Sequence, residues 1–185
     1  MDDGAELKDV LNNSMIAAMR HIGDRFSRNE VYVPQMLVAA RAMQAGLDIL
    51  SPLLADSGHE PVAKVAIGTV KGDLHDIGKN LVAIMVKGAG YEVIDLGVDC
   101  PVDKFEEASA NGVQALMLSA LLTTTMPYMR DVVEHFNAKE SRPKIIIGGA
   151  PVTKAFADEI GADAYSPDAN KAISALEEVL GIDVS

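Results

Sequence analysis

The feature that most constrains the fold of this chain is an alternation of short apolar runs with helical stretches, which begins at Val62. Each run is rich in β-branched residues and is followed by a segment with helical spacing. The pairs are Val62–Val70 with Gly78–Gly90, Tyr91–Leu96 with Pro101–Asn111, Val113–Ser119 with Met126–Ala138, Lys144–Ile147 with Pro151–Ile160, and Ala162–Tyr165 with Asp168–Leu180. Five such units predict a five-stranded parallel sheet with helices on both faces.

The N-terminal part of the chain has a different sequence pattern, in which apolar residues recur at helical spacing. A stripe that recurs at steps of three and four predicts an amphipathic helix over residues 5–26. Its members are Leu7, Val10, Leu11, Met15, Ala18, Met19 and Ile22. Pro34 suits the first turn of a second helix that runs to about Asp56, and Ser57–Pro61 then has the composition of a linker and hinge. We therefore expect a helical domain at residues 1–57 and an α/β domain at residues 62–185.

Composition argues against several classes of function. The formal net charge is −11, whereas binding to nucleic acid or to an anionic membrane needs basic patches. The single cysteine, Cys100, allows no internal disulfide, which fits a reducing compartment. We find no secretory signal and no apolar run long enough to span a bilayer. The expectation is a cytoplasmic protein with no nucleic-acid or membrane partner.

The loop after the first predicted strand carries the strongest chemical signal. It reads Gly72-Asp73-Leu74-His75-Asp76-Ile77-Gly78, at the carboxyl edge of the sheet, where ligands bind in folds of this kind. Asp73 is close enough to accept a hydrogen bond from one ring nitrogen of His75. That bond fixes the tautomer and makes the other nitrogen a better metal ligand. The alternative is a solvated histidine that caps the next helix.

A metal bound by His75 needs its other ligands from outside the protein. The sequence contains no HxH, HExxH or CxxC pair, so a zinc site built from protein side chains alone is not indicated. A tetrapyrrole-like ring would supply the missing ligands. The sequence shows no nucleophile–base pair, carboxylate dyad or phosphate loop, and we predict no catalytic residue.

Two further loops follow the third and fourth predicted strands. Ser119–Thr125 is small and hydroxylated, which suits a slot with polar contacts along its wall, although an ordinary turn before a helix has the same composition. Gly148 and Gly149 allow a flat group or a phosphate to approach the backbone, although simple turn chemistry also explains them. Cys100 precedes a helix start that could lower its pKa; the alternative is a small half-buried residue at a strand end.

Together, the three loops resemble the cobalamin-binding domain of corrinoid proteins in methyltransferase systems. The family pattern is present as Asp73-Leu74-His75-Asp76-Ile77-Gly78, then Ser119-Ala120-Leu121, then Gly148-Gly149. The chain is similar to the cobalamin-binding module of methionine synthase and to the corrinoid proteins of methanol, methylamine and O-demethylase systems. The resemblance implies a Rossmann-like, flavodoxin-type sheet preceded by a helical cap, with cobalamin or a related corrinoid as the cofactor.

The resemblance also implies a role for each site residue. His75 would be the lower ligand of cobalt, Asp73 would orient it, and Thr125 would hydrogen-bond to Asp73. The detached tail of the cofactor would enter a slot lined by Ser119, Leu121, Thr123, Gly148 and Gly149. The rest of the cofactor loop is Asp76, Ile77 and Gly78, and the cap residues over the methyl-bearing face are Phe26, Val33 and Met36.

The function implied is that of a methyl carrier, which cycles between cob(I)alamin and methylcobalamin. A substrate-specific methyltransferase would load it, a second methyltransferase would deliver the methyl group to tetrahydrofolate or a thiol, and a reductive activase would rescue oxidised cobalt. Anaerobic O- or N-demethylation is the expected setting. Related proteins usually have about one more helix at the start of the cap. Its absence would leave part of the apolar stripe bare and favour a homodimer through the cap.

Three other functions use a similar fold. A cobalamin sensor needs an attached DNA-binding module, which this acidic chain does not show. The small subunit of an adenosylcobalamin mutase usually lacks the Lys79-Asn80 pair that follows Gly78 here. A flavodoxin-like or response-regulator domain would fit the fold alone, but it leaves the His75 loop unexplained.

Overall fold

The computed structural model describes residues 6–56 and 60–182, and the N-terminal part is helical as expected. A first helical rod consists of α1 (Leu7–Asp9), a π-helical segment (Val10–Ile16) and α2 (Ala17–Ser27), and it is followed by α3 (Val33–Asp56). Most of the predicted hinge, residues 57–59, lies outside the described ranges, and so does the first residue of the predicted 5–26 helix.

The remainder alternates strands and helices, as the apolar runs predicted. The strands are β1 (Lys64–Thr69), β2 (Glu92–Asp95), β3 (Ala115–Ser119), β4 (Lys144–Gly148) and β5 (Ala164–Ser166). The helices are α4 (Ile77–Gly88), α5 (Val102–Ala110), α6 (Pro127–Asn137), α7 (Lys154–Ile160) and α8 (Ala169–Leu180). All neighbouring strands pair in parallel, in the order β2-β1-β3-β4-β5. The predicted α/β class is therefore confirmed.

The strand register aligns the carboxyl ends of four strands in one row. Thr69 of β1 pairs with Ser119 of β3, Ser119 pairs with Gly148 of β4, and Gly148 pairs with Ser166 of β5. Because the order of strands reverses between β1 and β3, the loops after these two strands separate and leave a crevice. The sequence motifs at His75, Ser119 and Gly148 all reach this edge.

The start of the last helix differs from the one that composition favours. Ser166-Pro167 has the composition of a helix start, but Asp168 is the cap, because it accepts hydrogen bonds from the backbone N–H groups of Asn170 and Lys171. Ser166 belongs to β5, and its hydroxyl donates to the carbonyl oxygen of Asp168 instead. Serine and aspartate are both good caps, so composition could not separate the two starts.

Each face of the sheet has its own apolar core. Val65 and Ile67 pack with the N-terminal helices (residues 7–56, the cap), α4 and α8, whereas Ala66 and Val70 pack on the side of α5, α6 and α7. Both sides of β1 are thus buried, as its continuous apolar run predicted. The cap is part of the first core, where Met36 and Met43 of α3 are buried with Leu81 and Met85 of α4.

The long helix α3 has two apolar faces. One face is buried and includes Met36, Ala40, Met43, Leu50 and Leu54. The other exposes Val38, Ile49 and Leu53. Among the described residues, α3 is the one helix long and apolar enough to cross a bilayer by length and composition, a test that core helices of soluble proteins also pass.

Candidate functional site

The centre of the site is the carboxylate of Asp73, which is fully buried behind His75. Its Oδ1 accepts hydrogen bonds from the backbone N–H of His75 at 3.0 Å and from His75 Nδ1 at 2.7 Å. Its Oδ2 accepts from the backbone N–H of Leu121 at 2.7 Å, from that of Leu122 at 3.3 Å, and from Thr125 Oγ1 at 2.7 Å. Both carboxylate oxygens are therefore saturated by donors from two separate loops.

These donors decide the charge of Asp73. Burial by itself raises the pKa of this carboxyl, but the hydrogen bonds from Leu121, His75 and Thr125 outweigh burial and hold the pKa well below its usual range. An ionised carboxylate can only accept, so Nδ1 of His75 carries the proton in this hydrogen bond. The lone pair on Nε2 is then free for a metal, and the side chain of His75 is half exposed.

A cavity of about 490 Å³ lies beside His75, between the carboxyl ends of the strands and the helices α4 and α8. Its walls are mostly apolar. From the strands it takes Ile67, Met117, Ile146 and Ile147, and from the helices Leu81, Val82, Ala169 and Ala172. Cavities of this size hold cofactor-sized groups.

Most of the predicted site residues meet at this cavity. Its wall includes His75, Asp76, Ile77, Gly78, Ser119, Leu121, Gly148, Gly149 and, from the cap, Phe26. Asp73 and Thr125 lie behind the histidine rather than on the wall, and the predicted hydrogen bond between them is present. The cofactor contacts assigned to these residues stay predictions.

Three more predicted residues, besides Asp73 and Thr125, lie away from the cavity wall. Thr123 is exposed in the turn that precedes α6, so it does not line the slot in this structure. Val33 is partly exposed at the start of α3, and Met36 is fully buried in the core between the cap and α4. Phe26 is therefore the one of the three predicted cap residues that faces the cavity here.

Packing against neighbouring backbone explains why positions 148 and 149 are both glycine. A Cβ at Gly149 would lie 1.9 Å from the carbonyl oxygen of Ala120, and one at Gly148 would lie 2.7 Å from that of Ser166. Gly149 also has a φ of 134°, which favours glycine. The close approach of neighbouring strand ends requires both glycines, and this explains them without a ligand.

Packing within the protein does not explain the glycine at position 78. Apart from its chain neighbours and the backbone of its own helix, no described atom lies within 4 Å of the position that its Cβ would occupy. The residue sits in the first turn of α4 on the cavity wall. A glycine in a helix is normally less favourable than alanine. The empty space beside it fits a bulky ligand that lies against the start of α4.

The ligand set also fits a ring-bound metal. The described residues contain no group of three or more His, Cys, Asp or Glu side chains that could hold a metal ion. A metal bound at Nε2 of His75 therefore needs a cofactor that supplies the other ligands, as a corrin ring does. Cys100 offers no alternative, because it is buried and its burial raises the pKa of the thiol.

Sequence reasoning missed two parts of the site. The wall formed by Asp168 and α8 was not expected, because only the loops after β1, β3 and β4 were considered. Lys79 was noted as a motif residue, but its partner was not. Its buried ammonium contacts Asp95 Oδ1 at 2.6 Å, Asp95 Oδ2 at 2.7 Å and Asn80 Oδ1 at 2.6 Å. The sequence offers no signal for Asp95, which ends β2.

Comparison with known proteins decides the family. A family model described as a B12 binding domain matches residues 63–177, and a second model with the same description matches residues 1–51. This chain belongs to the corrinoid proteins of methyltransferase systems. It is 40% identical over 176 residues to dimethylamine corrinoid protein 1 of Methanosarcina acetivorans, covering 93% of this chain and 83% of the relative. It binds a corrinoid cofactor, and the resemblance seen in the three loops is confirmed.

Solved structures agree with the fold. A cobalamin-binding protein from Desulfitobacterium hafniense is 31% identical, with a TM-score of 0.77 over 93% of this chain and 82% of that one. The methanol:cobalamin methyltransferase complex of Methanosarcina barkeri contains a chain of the same fold, at 24% identity and a TM-score of 0.83, over 97% of this chain and 70% of that one.

Proposed function

We propose that this protein carries a methyl group on a corrinoid between two methyltransferases, with His75 as the lower ligand of cobalt. One observation carries the proposal. His75 stands at a cavity of about 490 Å³ with Nδ1 bound to an ionised, fully buried Asp73 and with Nε2 left free. When bound, the corrinoid supplies a nucleophilic cobalt that accepts and releases the methyl group.

Each residue of the site then has a defined role in holding the cofactor. Asp73 fixes the tautomer of His75 and strengthens Nε2 as a ligand, and Thr125 anchors Asp73 from the loop after β3. Ser119 and Leu121 would hold the tail of the cofactor in the slot, and the space next to Gly78 would receive the ring. We keep Thr123 in the tail-binding set, where a movement of the loop after β3 would bring it to the slot.

The names of the relatives support a proposal for the partners. A protein 40% identical is named a dimethylamine corrinoid protein, and a chain of the same fold occurs in a methanol:cobalamin methyltransferase complex. We propose that a substrate-specific methyltransferase loads this protein from an N-methyl or O-methyl donor, with the N-methyl donor favoured by the name of the closer relative. A second methyltransferase then delivers the methyl group to tetrahydrofolate or a thiol, and a reductive activase restores oxidised cobalt.

The cap has to move in this cycle. We propose a cap at residues 1–57 and a cofactor domain at residues 62–185, joined by a hinge at 57–61. Phe26 lies on the cavity wall, so the cap obstructs the side from which a partner enzyme reaches the methyl group. Displacement of the cap exposes that side, and Val33 and Met36 come to the upper face of the corrin as the cap resettles. The single cysteine fits a cytoplasmic location.

The exposed apolar face of α3 supports a homodimer through the cap. Val38 and Ile49 are each more than two-thirds exposed, at 67% and 69%, and burying them against a second copy removes apolar area from water. Sedimentation equilibrium of the protein and of Ile49→Lys tests this proposal. A monomer at every concentration would contradict it.

The decisive experiment is an absorbance spectrum of the protein reconstituted with hydroxocobalamin and desalted, beside His75→Gly. We expect both to retain the corrinoid and the spectrum of the variant to shift, because the histidine nitrogen is lost from cobalt. His21→Ala is the control, since His21 is exposed on α2 and should leave the spectrum unchanged. An unshifted spectrum in His75→Gly would remove His75 from the cobalt.

A further inference from the structure

The loop that carries His75 is held from a second direction by Thr69, the last residue of β1. Thr69 is fully buried, and its hydroxyl donates a hydrogen bond to the backbone carbonyl oxygen of His75 at 2.9 Å. A buried hydroxyl is costly unless it is paired, and here its proton goes to the histidine itself. Thr69 is itself held at the carboxyl end of β1, since its own N–H donates to Gly97 O and its carbonyl accepts from Cys100 N–H.

The first half of the same loop is fixed by Asp99. Asp99 Oδ1 accepts from the N–H of Gly72 at 2.7 Å, and the N–H of Asp99 donates to the carbonyl oxygen of Asp73 at 3.0 Å. Asp99 makes these contacts with a φ of 51°, a conformation uncommon for a residue other than glycine. Residues 72 and 73 are thus tied to the loop after β2, whereas the backbone oxygen of His75 is tied to Thr69.

We infer that Thr69 is a positioning residue for the cobalt ligand: its hydroxyl sets the backbone of His75 so that Nε2 faces the corrin. The inference rests on the proposed function. Asp73 accepts from both Nδ1 and the backbone N–H of His75, whereas Thr69 fixes the carbonyl end of the same residue. With the peptide groups on both sides of its Cα held, the direction in which the side chain of His75 leaves the backbone is set before the cofactor binds, and pre-organised ligands bind more tightly.

The test measures the dissociation constant for hydroxocobalamin in Thr69→Val and Thr69→Ser, each with His75 and with His75→Gly. Valine keeps the shape of threonine and is favoured in strands, whereas serine keeps the hydroxyl. With His75 present, we expect the valine variant to bind about fivefold more weakly, the effect of losing one neutral hydrogen bond. The serine variant should stay within about twofold of the wild type, since it restores the donor.

The His75→Gly background separates positioning from a purely structural role. Residue 75 keeps its carbonyl there, so Thr69→Val removes the same hydrogen bond without a histidine to misplace. We expect the effect of valine on affinity to vanish in this background, because the two substitutions act through one group. An equal loss of affinity in both backgrounds, or none in either, would overturn the positioning role.

Electron paramagnetic resonance spectra distinguish a failure of this inference from a failure of the proposed function. In protein labelled with nitrogen-15 histidine, cob(II)alamin in the wild type should show the splitting pattern of a nitrogen-15 ligand in its electron paramagnetic resonance spectrum, which separates His75 from the nitrogen of the cofactor's own dimethylbenzimidazole. Thr69→Val should show a smaller fraction with this splitting. Splitting that is absent from the wild type would overturn the proposed function and the inference with it. If the wild type and Thr69→Val both show full splitting and bind hydroxocobalamin with the same affinity, the inference alone would be overturned.

Discussion

Thr125 Oγ1 donates a hydrogen bond to Asp73 Oδ2 at 2.7 Å, across 52 positions of the sequence. The same hydroxyl also contacts the carbonyl oxygen of Leu122 at 2.9 Å, so the loops after β1 and β3 are joined through one buried side chain on each. The geometry of His75 therefore depends on two separate βα units, which leads to the first prediction.

Asp73→Asn should destabilise the protein even without cofactor. An amide keeps the size of the carboxyl but places N–H donors against His75 or against Leu121 and Thr125, where Asp73 now accepts from each. Donors that face each other in a buried site cost about 2 kcal/mol. Urea unfolding of the apoprotein measures this loss. Asp76→Asn is the control, since Asp76 is exposed in the same loop, and an equal loss there would contradict the explanation.

Thr125→Val and Thr125→Ser should differ in their free energy of unfolding when the apoproteins are unfolded by urea. Thr125 is 4% exposed, and valine removes its hydroxyl while keeping its shape. We expect Thr125→Val to lower the free energy of unfolding by about 1 kcal/mol. Thr125→Ser keeps the hydrogen bond and loses only the stabilisation from one buried methyl group. The two variants should therefore differ in the shift that they cause in the corrinoid spectrum, and identical spectra would contradict a link between Thr125 and His75.

The Lys79–Asp95 pair should respond asymmetrically to substitution. The side chain of Lys79 is 2% exposed, whereas that of Asp95 is 43% exposed. Lys79→Met leaves a carboxylate that water can solvate, and we expect a change within about 1 kcal/mol. Asp95→Ala leaves a buried ammonium with only Asn80 as a side-chain acceptor and should cost about 3 kcal/mol. Thermal unfolding ranks the two variants, and the reverse order would contradict the assignment.

Gly78→Ala should stabilise the apoprotein and weaken its binding to the corrinoid. A Cβ at position 78 meets no described atom within 4 Å apart from its chain neighbours and the backbone of its own helix, and alanine in place of a helical glycine stabilises by about 0.5 kcal/mol. The methyl group projects into the space reserved for the cofactor, so the affinity for hydroxocobalamin should fall. Calorimetric unfolding and a binding titration test both halves. Unchanged affinity would show that no ligand approaches this position.

Asp163 should contribute to stability in a pH-dependent way. Burial raises its pKa, but hydrogen bonds from Arg142 and the N–H of Ile145 outweigh burial, so the folded pKa is lowered. A carboxyl with a lowered folded pKa stabilises the protein above its unfolded pKa of about 3.9, and this contribution is lost as the pH falls through the folded value. Asp163→Asn should therefore be less stable than wild type at neutral pH, with a difference that shrinks in acid.

The control for that series is Asp158→Asn, which changes an exposed pair with Lys154 on α7. Exposed pairs contribute little, so its stability should follow the wild type across the whole pH range. Urea unfolding at about pH 7, 4 and 3 gives the comparison. A pH-independent difference between Asp163→Asn and wild type would contradict a role for ionisation.

Much of the site could be predicted because its central pair is local in sequence. Asp73 and His75 are two positions apart, so the hydrogen bond between them could be expected from the loop alone. The βα alternation by itself predicts that this loop, Ser119 and Gly148 lie at one edge of the sheet. Thr123 was assigned to the slot by the family resemblance, but the chain turns outward before α6 and leaves it exposed.

The sequence by itself determined the α/β class, the helical cap and the loop that carries His75, because apolar periodicity and motif spacing are local properties. Only the tertiary structure decided that Asp73 is ionised and that Lys79 is buried against Asp95. It also decided that Thr69 holds the carbonyl of His75 and that α8 closes the cavity. These contacts depend on strand order and register, which bring together groups that no local pattern relates.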